Sequence, residues 1–299
     1  MKAVSVPRSV GARSQPRGRA QTLAQIAPMV VLLILAATYL TPFVWMVSTA
    51  LKTQPQSIAA PPVWLPNPVT VAAFPEAFTK MEFLRGLGNT LIYAVPSVIG
   101  TLISCSLVAY GFALVNWRGR NIVFLVVLAT MMLPGQVTLI PLYIIYAKLG
   151  WINTYLPLVM PTLLASAPGT AGSAFVIFLL RQFFLGIPRE LIDAARLDGA
   201  SELRILTRIV APLATPALIT VALLTFVDKW NDYYGPLLYL QQPELKPLSL
   251  SIQVFQTAHR TEWPQTMAAS ILVAAPLVAI YFVAQRRFIE GITLTGLKG

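Results

Sequence analysis

"IPRELIDAARLDGASELRILTRIVAPL", from Ile187 to Leu213, packs eight charged side chains into a chain in which only 11% of residues are Asp, Glu, Lys or Arg. That overall share is less than half of the ~25% usual for soluble domains. Hydrophobic residues make up 56% of the 299 residues. On both sides of the charged block the chain runs long distances without a formal charge. A soluble core of this size needs far more polar surface to stay dispersed, so the composition implies an integral membrane protein.

The charge-free spans are 20–51, 86–117, 121–147, 149–180, 209–227 and 263–285. Each is about as long as the ~20 residues that a helix needs to cross the hydrocarbon layer, or longer. In lipid every backbone polar group must be paired within the chain, and helices do this segment by segment. The expectation is an all-α integral membrane protein with six transmembrane helices. The longest spans then include interfacial ends.

Lys and Arg set the orientation, because short basic loops remain in the cytoplasm. With the N-terminus inside, 15 of the 22 Lys and Arg residues fall on the inner side and 7 on the outer. Both termini are thus expected in the cytoplasm. The net charge of +11 is read as topology plus attraction to anionic membrane lipid rather than as nucleic-acid binding, because the charges flank the spans. Residues 1–20, rich in Arg, Ser, Gly and Pro, are expected to form a disordered basic tail. The apolar run that follows is too long for the core of a cleaved signal peptide. Residues 21–299 are read as one transmembrane domain. The single cysteine, Cys105, lies in the second span as a packing residue.

Two segments on the outer side are chemically varied. One, from about Lys52 to Arg85, holds the proline-dense "PPVWLPNP", which favours extended backbone. The other, from Asp228 to Glu262, holds "WNDYYGPLLYL". Prolines also occur within the spans, where they suit either kinked moving helices or plain packing. Gly100, Ser104, Ser106 and Ala109 on the second span permit close approach of another helix, in this chain or in a partner.

Within the charged block, Pro188 and Glu190 suit the first turn of a helix. Arg189, Asp193 and Arg196 have the i,i+4 and i,i+3 spacings of ion pairs, with Leu191, Ile192 and Ala195 on the opposing side. Gly199 can take the left-handed conformation that ends a helix, and Ser201 can cap the next, with Glu202 in its first turn. The block therefore reads as helix, sharp corner, helix, the second continuing through Pro212 into the fifth span. The apolar face is short and centred on alanine. Small residues at Ala194, Ala195, Gly199 and Ala200 suit contact with a protein surface better than anchoring in lipid.

"DAARLDGAS" resembles the EAA loop of binding-protein-dependent ABC importer permeases, a pattern of Glu-Ala-Ala, three residues, Gly, then nine residues and a branched residue before Leu-Pro. Asp193, Ala194, Ala195 and Gly199 occupy its key positions, Ile209 the branched one, and Ala211-Pro212 replaces Leu-Pro. Asp193 keeps the charge of the usual Glu on a side chain one methylene shorter. "TPFVWMVSTALK", "GNTLIYA", "MMLPGQVTLIPLY", "WNDYYGPLLYL" and "RRFIEGITLTGLKG" extend the resemblance to the MalG-like permease subunits of carbohydrate importers over nearly all of the chain after residue 20.

The resemblance implies the type I importer architecture: a second homologous permease subunit, two cytoplasmic ATPase subunits that bind ATP and Mg2+, and an extracytoplasmic solute-binding protein. It implies a prokaryotic inner-membrane location and a cytoplasmic coupling helix made of Glu190, Asp193, Ala194, Ala195, Arg196, Asp198, Gly199, Ala200 and Ser201. It also implies that the tail from Gly291 to Gly299 reaches between the ATPases.

Sugars are recognised by aromatic stacking and by amides and carboxylates. Candidate path residues are therefore Asn89, Gln136, Trp230, Asn231, Asp232 and Tyr233. The competing readings are an interfacial aromatic belt for Trp and Tyr and helix-to-helix bonding for Asn89 and Gln136. The sequence holds no Walker A pattern, no HExxH and no cysteine cluster, and the lone His259 is not expected to bind a metal. This chain is not expected to be an enzyme or to bind a cofactor, ATP hydrolysis belonging to the partner subunits. A self-sufficient channel or secondary transporter is the alternative, though such proteins usually bury ionisable groups. A membrane scaffold is another. The solute could be a sugar, an oligosaccharide or glycerol 3-phosphate.

Overall fold

A computed structural model describes residues 19–167, 172–256 and 261–295 of the chain. Residues 1–18 of the basic tail, His259 and the last four residues lie outside them, while Arg19 and Ala20, counted with that tail, open the first helix. Among the described residues the secondary structure is helical, apart from one bridge between Gln256 and Thr261.

Three helices are long and apolar enough to cross a membrane in one piece: within α1 (Arg19–Ala50), α4 (Phe83–Ala113) and α15 (Trp263–Thr295). Two short helices, α2 (Gln54–Ser57) and α3 (Ala73–Lys80), lie between the first two. The third charge-free span is broken. Its α5 (Arg120–Thr130) and α6 (Gly135–Lys148) meet at 95°. Pro134, extended at φ −60° and ψ 131°, disfavours a helical conformation for the residue before it, so α5 stops and α6 starts afresh.

The fourth span is also in two pieces, α7 (Leu156–Leu163) and α8 (Ser173–Leu185). They follow α4 in order. Ser97 donates to the carbonyl of Leu158, Ser104 to that of Thr162 at 2.7 Å, and Arg181 to that of Phe112. The small residues on α4 make this approach possible. A β-carbon on Gly100 would stand 3.0 Å from Leu163 Cδ2 and from Thr162 Oγ1. The helix that these small residues admit is therefore one of this chain's own.

The charged block departs from expectation at one point. After α9 (Arg189–Leu197) and α10 (Glu202–Ile205), a π-turn at Leu206–Val210 leads to α11 (Ala211–Leu213). The helix does not run on into the fifth span. It turns by 85° before α12 (Thr215–Trp230). Pro212 and Pro216 both lack the amide that would continue the ladder. The carbonyl of Pro212 is instead bonded by the hydroxyl of Thr215 at 2.8 Å.

α12 also carries Asp228 and Lys229 on its last turn, so this helix is not free of charge as the fifth span was. Beyond it lie α13 (Tyr234–Tyr239) and α14 (Leu248–Ser251).

α4 is the mast of the fold. One buried cluster packs its second half, with Cys105, Ala109 and Phe112, against Val176, Leu180 and Phe184 of α8, Ile192 of α9 and Val221 of α12. Near its start, Tyr93 belongs to a tyrosine-rich hydrophobic cluster with Tyr146, Leu158 and Tyr239. A third cluster joins Ala50, Ala77, Trp230, Leu248 and Ala269 where α1, α3, α12, α14 and α15 meet. Elsewhere the surface is a broad apolar one. From Met29 to Leu35 every residue of α1 is exposed, as are Ile122, Leu125 and Ile140 on α5 and α6.

Candidate coupling site and transport path

The charged block forms a projecting corner. Pro188 sits just before α9 at φ −54° and ψ 125°, and Glu190 stands in the first turn. Gly199 has φ +76°. There the amide of Ala200 bonds back to the carbonyl of Ala195 at 3.0 Å, closing the last turn of α9. Ser201 accepts from the amide of Arg204 at 3.4 Å and caps α10.

Of the two i,i+n pairs foreseen, the structure has the second. Arg196 lies 3.5 Å from Asp193, and Arg189 makes no ion pair among the described residues. The fork of Arg196 turns mainly to Glu202, Nε to Oε1 at 2.9 Å and Nη2 to Oε2 at 3.1 Å.

The small residues divide between two faces. Ala195 and Ala200 pack against the chain's own core, around the buried Ile192, whereas Ala194 and Gly199 are exposed. Exposed with them are Glu190, Asp193, Asp198 and Ser201, and three leucines: Leu191, Leu203, and Leu197 at 89%. Burying a leucine side chain contributes about 1.5–3 kcal/mol. This corner thus presents exposed leucines among charged side chains, the acids together with Arg189 and Arg204.

At the other end of α4, the polar candidates serve largely to hold connections. Asn89 donates from Nδ2 to the carbonyls of Glu244 at 2.8 Å and Lys246 at 3.0 Å. Trp230 is 2% exposed and gives its indole N–H to Val273 of α15. Asn231 bonds to Val227 one turn back. Asp232 accepts from the amide of Gly235 at 3.0 Å, and its carbonyl accepts from Ser249. The hydroxyl of Tyr233 is bonded by the side-chain amide of Gln253. Gln136 stands apart from this group, exposed at the break between α5 and α6.

Several contributors here have no sequence signal of their own. Tyr93 donates to the carbonyl of Lys229 at 2.8 Å. Asn153, at φ +61°, gives its amide to Tyr239 and takes those of Gln241 and Gln242 on its side-chain oxygen. Tyr239 lies edge-on to Tyr146 at 5.3 Å, and Tyr146 stacks on Trp151 at 5.6 Å. Lys52, at the end of α1, is 1% exposed with its ammonium 4.0 Å over the ring of Trp45. Burial there pushes the Lys52 pKa down. Among the described residues no three His, Cys, Asp or Glu side chains gather as a metal site would require.

Apolar helices broken at prolines, around a mast with a polar corner at one end, define a helical membrane protein. The chain belongs to the binding-protein-dependent transport system inner membrane components, whose family pattern matches residues 100–293. Its relatives include the arabinooligosaccharides transport system permease protein AraQ of Halalkalibacterium halodurans, 32% identical over 78% of this chain and 81% of that one. The trehalose/maltose transport system permease protein MalG of Thermococcus litoralis is 31% identical over 94% and 99%. The sulfoquinovosyl glycerol transport system permease protein SmoH of Agrobacterium fabrum is 30% identical over 89% and 91%. A chain from the crystal structure of a bacterial ABC transporter involved in import of the acidic polysaccharide alginate superposes with a TM-score of 0.77, 25% identity, and coverage of 92% of this chain and 100% of that one.

Proposed function

We propose that this chain is the permease subunit of an ATP-driven carbohydrate importer, forming half of the translocation path and coupling it to cytoplasmic ATPases. The observation that carries the reading is the projecting corner at α9, with Leu197 almost wholly exposed beside Asp193, Asp198 and Gly199. Membership of a binding-protein-dependent transport family supports it. So do relatives named for arabinooligosaccharides, trehalose/maltose and a sulfoquinovosyl glycerol.

In this reading the six charge-free spans make six crossings, three as single helices and three broken. Both termini are cytoplasmic, and the α9 corner faces the cytoplasm. A second homologous permease completes the path. Two ATPases, holding ATP and Mg2+, receive the coupling corner, and an extracytoplasmic binding protein delivers solute. This chain itself contributes no nucleotide chemistry. Its part is mechanical, a stiff helix whose displacement alters the packing of the spans.

The test is co-purification from cells that express the whole transport system. Leu197→Glu places a charge on the exposed face without touching the core, and is expected to release the ATPase subunits while the two permeases stay together. Ala195→Glu is unsuited to this purpose, since Ala195 packs inward. Retention of the ATPases by Leu197→Glu, with transport unchanged, would remove the coupling role from this corner. Transport by the chain alone, without ATPase partners, would instead establish a channel or secondary transporter.

A further inference from the structure

α9 is weakly held by packing. Ile192 is its sole buried residue, and it ends at Gly199 with φ +76° and no neighbour within 4 Å of where a β-carbon would stand. With Ile192 and the partly buried Ala195 as its packing contacts, a helix moored in this way is held against a swing at Gly199 chiefly by polar contacts. Three polar contacts oppose that motion. Arg196, on α9, gives both Nε and Nη2 to the carboxylate of Glu202, at 2.9 and 3.1 Å, across the corner. Its Nη2 also bonds the carbonyl of Leu114 at 3.1 Å. The third contact is the hydroxyl of Tyr110, which donates to Oε2 of Glu202.

Leu114 is the residue that ends α4, and Tyr110 lies one turn before it. The last carbonyls of a helix have no intrahelical partner and must be bonded from outside. One guanidinium therefore joins the coupling helix, the far side of its corner and the end of the mast. Arg196 and Glu202 keep 33% and 47% of their side-chain surface, so as a simple surface pair they would add little stability. The planar fork, accepting no other geometry, instead fixes relative position. Consistent with this arrangement, hydrogen bonding from Arg196 holds the Glu202 carboxyl below the usual carboxylate range.

We propose that Glu202 is a positioning residue that pins α9 to the end of α4 through Arg196 and Tyr110. A displacement of the coupling helix is then delivered to the mast rather than absorbed at Gly199. This rests on the reading of α9 as the ATPase contact, and concerns a residue outside the exposed leucine face.

The experiment uses the complete importer in nanodiscs, with Cys105→Ala and a reporter Asn231→Cys at the far end of α12. The probe is a membrane-impermeant maleimide, its rate of reaction compared with and without ATP, Mg2+ and vanadate. The variants are Glu202→Ala, Glu202→Gln, Arg196→Ala and the double Arg196→Ala/Glu202→Ala.

Each is expected to retain the ATPases and to shrink the nucleotide-dependent change in rate by about fivefold or more. The double variant should lose no more than either single one, as residues acting as a unit do. A purely structural role would lower the yield of assembled complex and leave the response of the assembled fraction intact. A normal response in Glu202→Gln, or losses that add in the double variant, would overturn the proposal. A wild-type complex that holds its ATPases but shows no nucleotide response at Asn231→Cys also overturns it. Failure of the wild type to retain ATPases would instead sink the importer reading on which it rests.

Discussion

Two glycines on α4 illustrate how much of this fold depends on single side-chain volumes. Gly100 faces α7, with Leu163 and Thr162 both 3.0 Å from an added β-carbon, whereas Gly88 has nothing within 4 Å. Thr162 cannot readily retreat, since its own hydroxyl is bonded to Val159 and its carbonyl to Ser104. Gly100→Ala should therefore cost about 1–3 kcal/mol by overpacking. Gly88→Ala should be neutral or stabilising by up to about 1 kcal/mol, through helix propensity. Thermal unfolding of the purified protein in detergent measures both, and equal effects at the two sites would contradict the packing of α7 on α4. The stripe of small residues was legible in the sequence, but its partner was not, because spacing along one helix carries no information about which helix faces it. Asn89 shows the same limit. Its amide in an apolar span announced a hydrogen-bonding need, and only the fold reveals that the carbonyls of Glu244 and Lys246 meet it.

At the scale of elements, the charged block was the most legible part. Pro188, Gly199 and Ser201 act locally, each through its own backbone or a neighbour within a few residues, so helix, corner and cap all appear where the residues put them. Glu202 was readable only as a first-turn acid, because Arg196 reaches it across a corner outside regular helix spacing and its other partner, Tyr110, is 92 residues away. The course of the next helix departs from expectation for a different reason. Pro212 alone is tolerable at a helix start, but Pro212 and Pro216 together remove successive ladder bonds and permit the 85° turn. The corner also has a definite pH behaviour. With the Glu202 pKa lowered, first by its bond from Arg196, the contribution of the ionised pair is complete above the ordinary glutamate value of about 4.3 and is lost only as pH falls below it. With each rate expressed as a ratio to the nucleotide-free rate at the same pH, since thiolate reactivity itself falls with pH, the difference between wild type and Glu202→Gln should therefore hold constant from neutral pH down to that range. A difference that faded already near about 6.5, where an ordinary histidine titrates, would mean that another group governs the corner.

For the whole molecule, the arrangement of ends around α4 turns the charge count into a topology that can be checked residue by residue. The charged corner lies beside Tyr110 and Leu114 at the end of α4, and the connection around Glu244 lies beside Asn89 near its beginning. The charged corner and the connection around Glu244 are thus at opposite ends of one long helix, a separation that composition alone could not establish. An α4 of 31 residues spans roughly 46 Å at 1.5 Å per residue, enough to put these ends on opposite sides of a ~30 Å hydrocarbon core. Arg118, just beyond the corner end, belongs to the basic set that the proposed orientation places inside, and inversion would move the heavier Lys and Arg load outside against the positive-inside tendency. In a Cys105→Ala background, Ala59→Cys and Glu244→Cys, both at exposed positions, are expected to react with an impermeant maleimide in intact cells. Arg118→Cys, equally exposed, should react only after the membrane is opened. Labelling of Arg118→Cys from outside would invert the chain and place the α9 corner where no cytoplasmic ATPase could reach it.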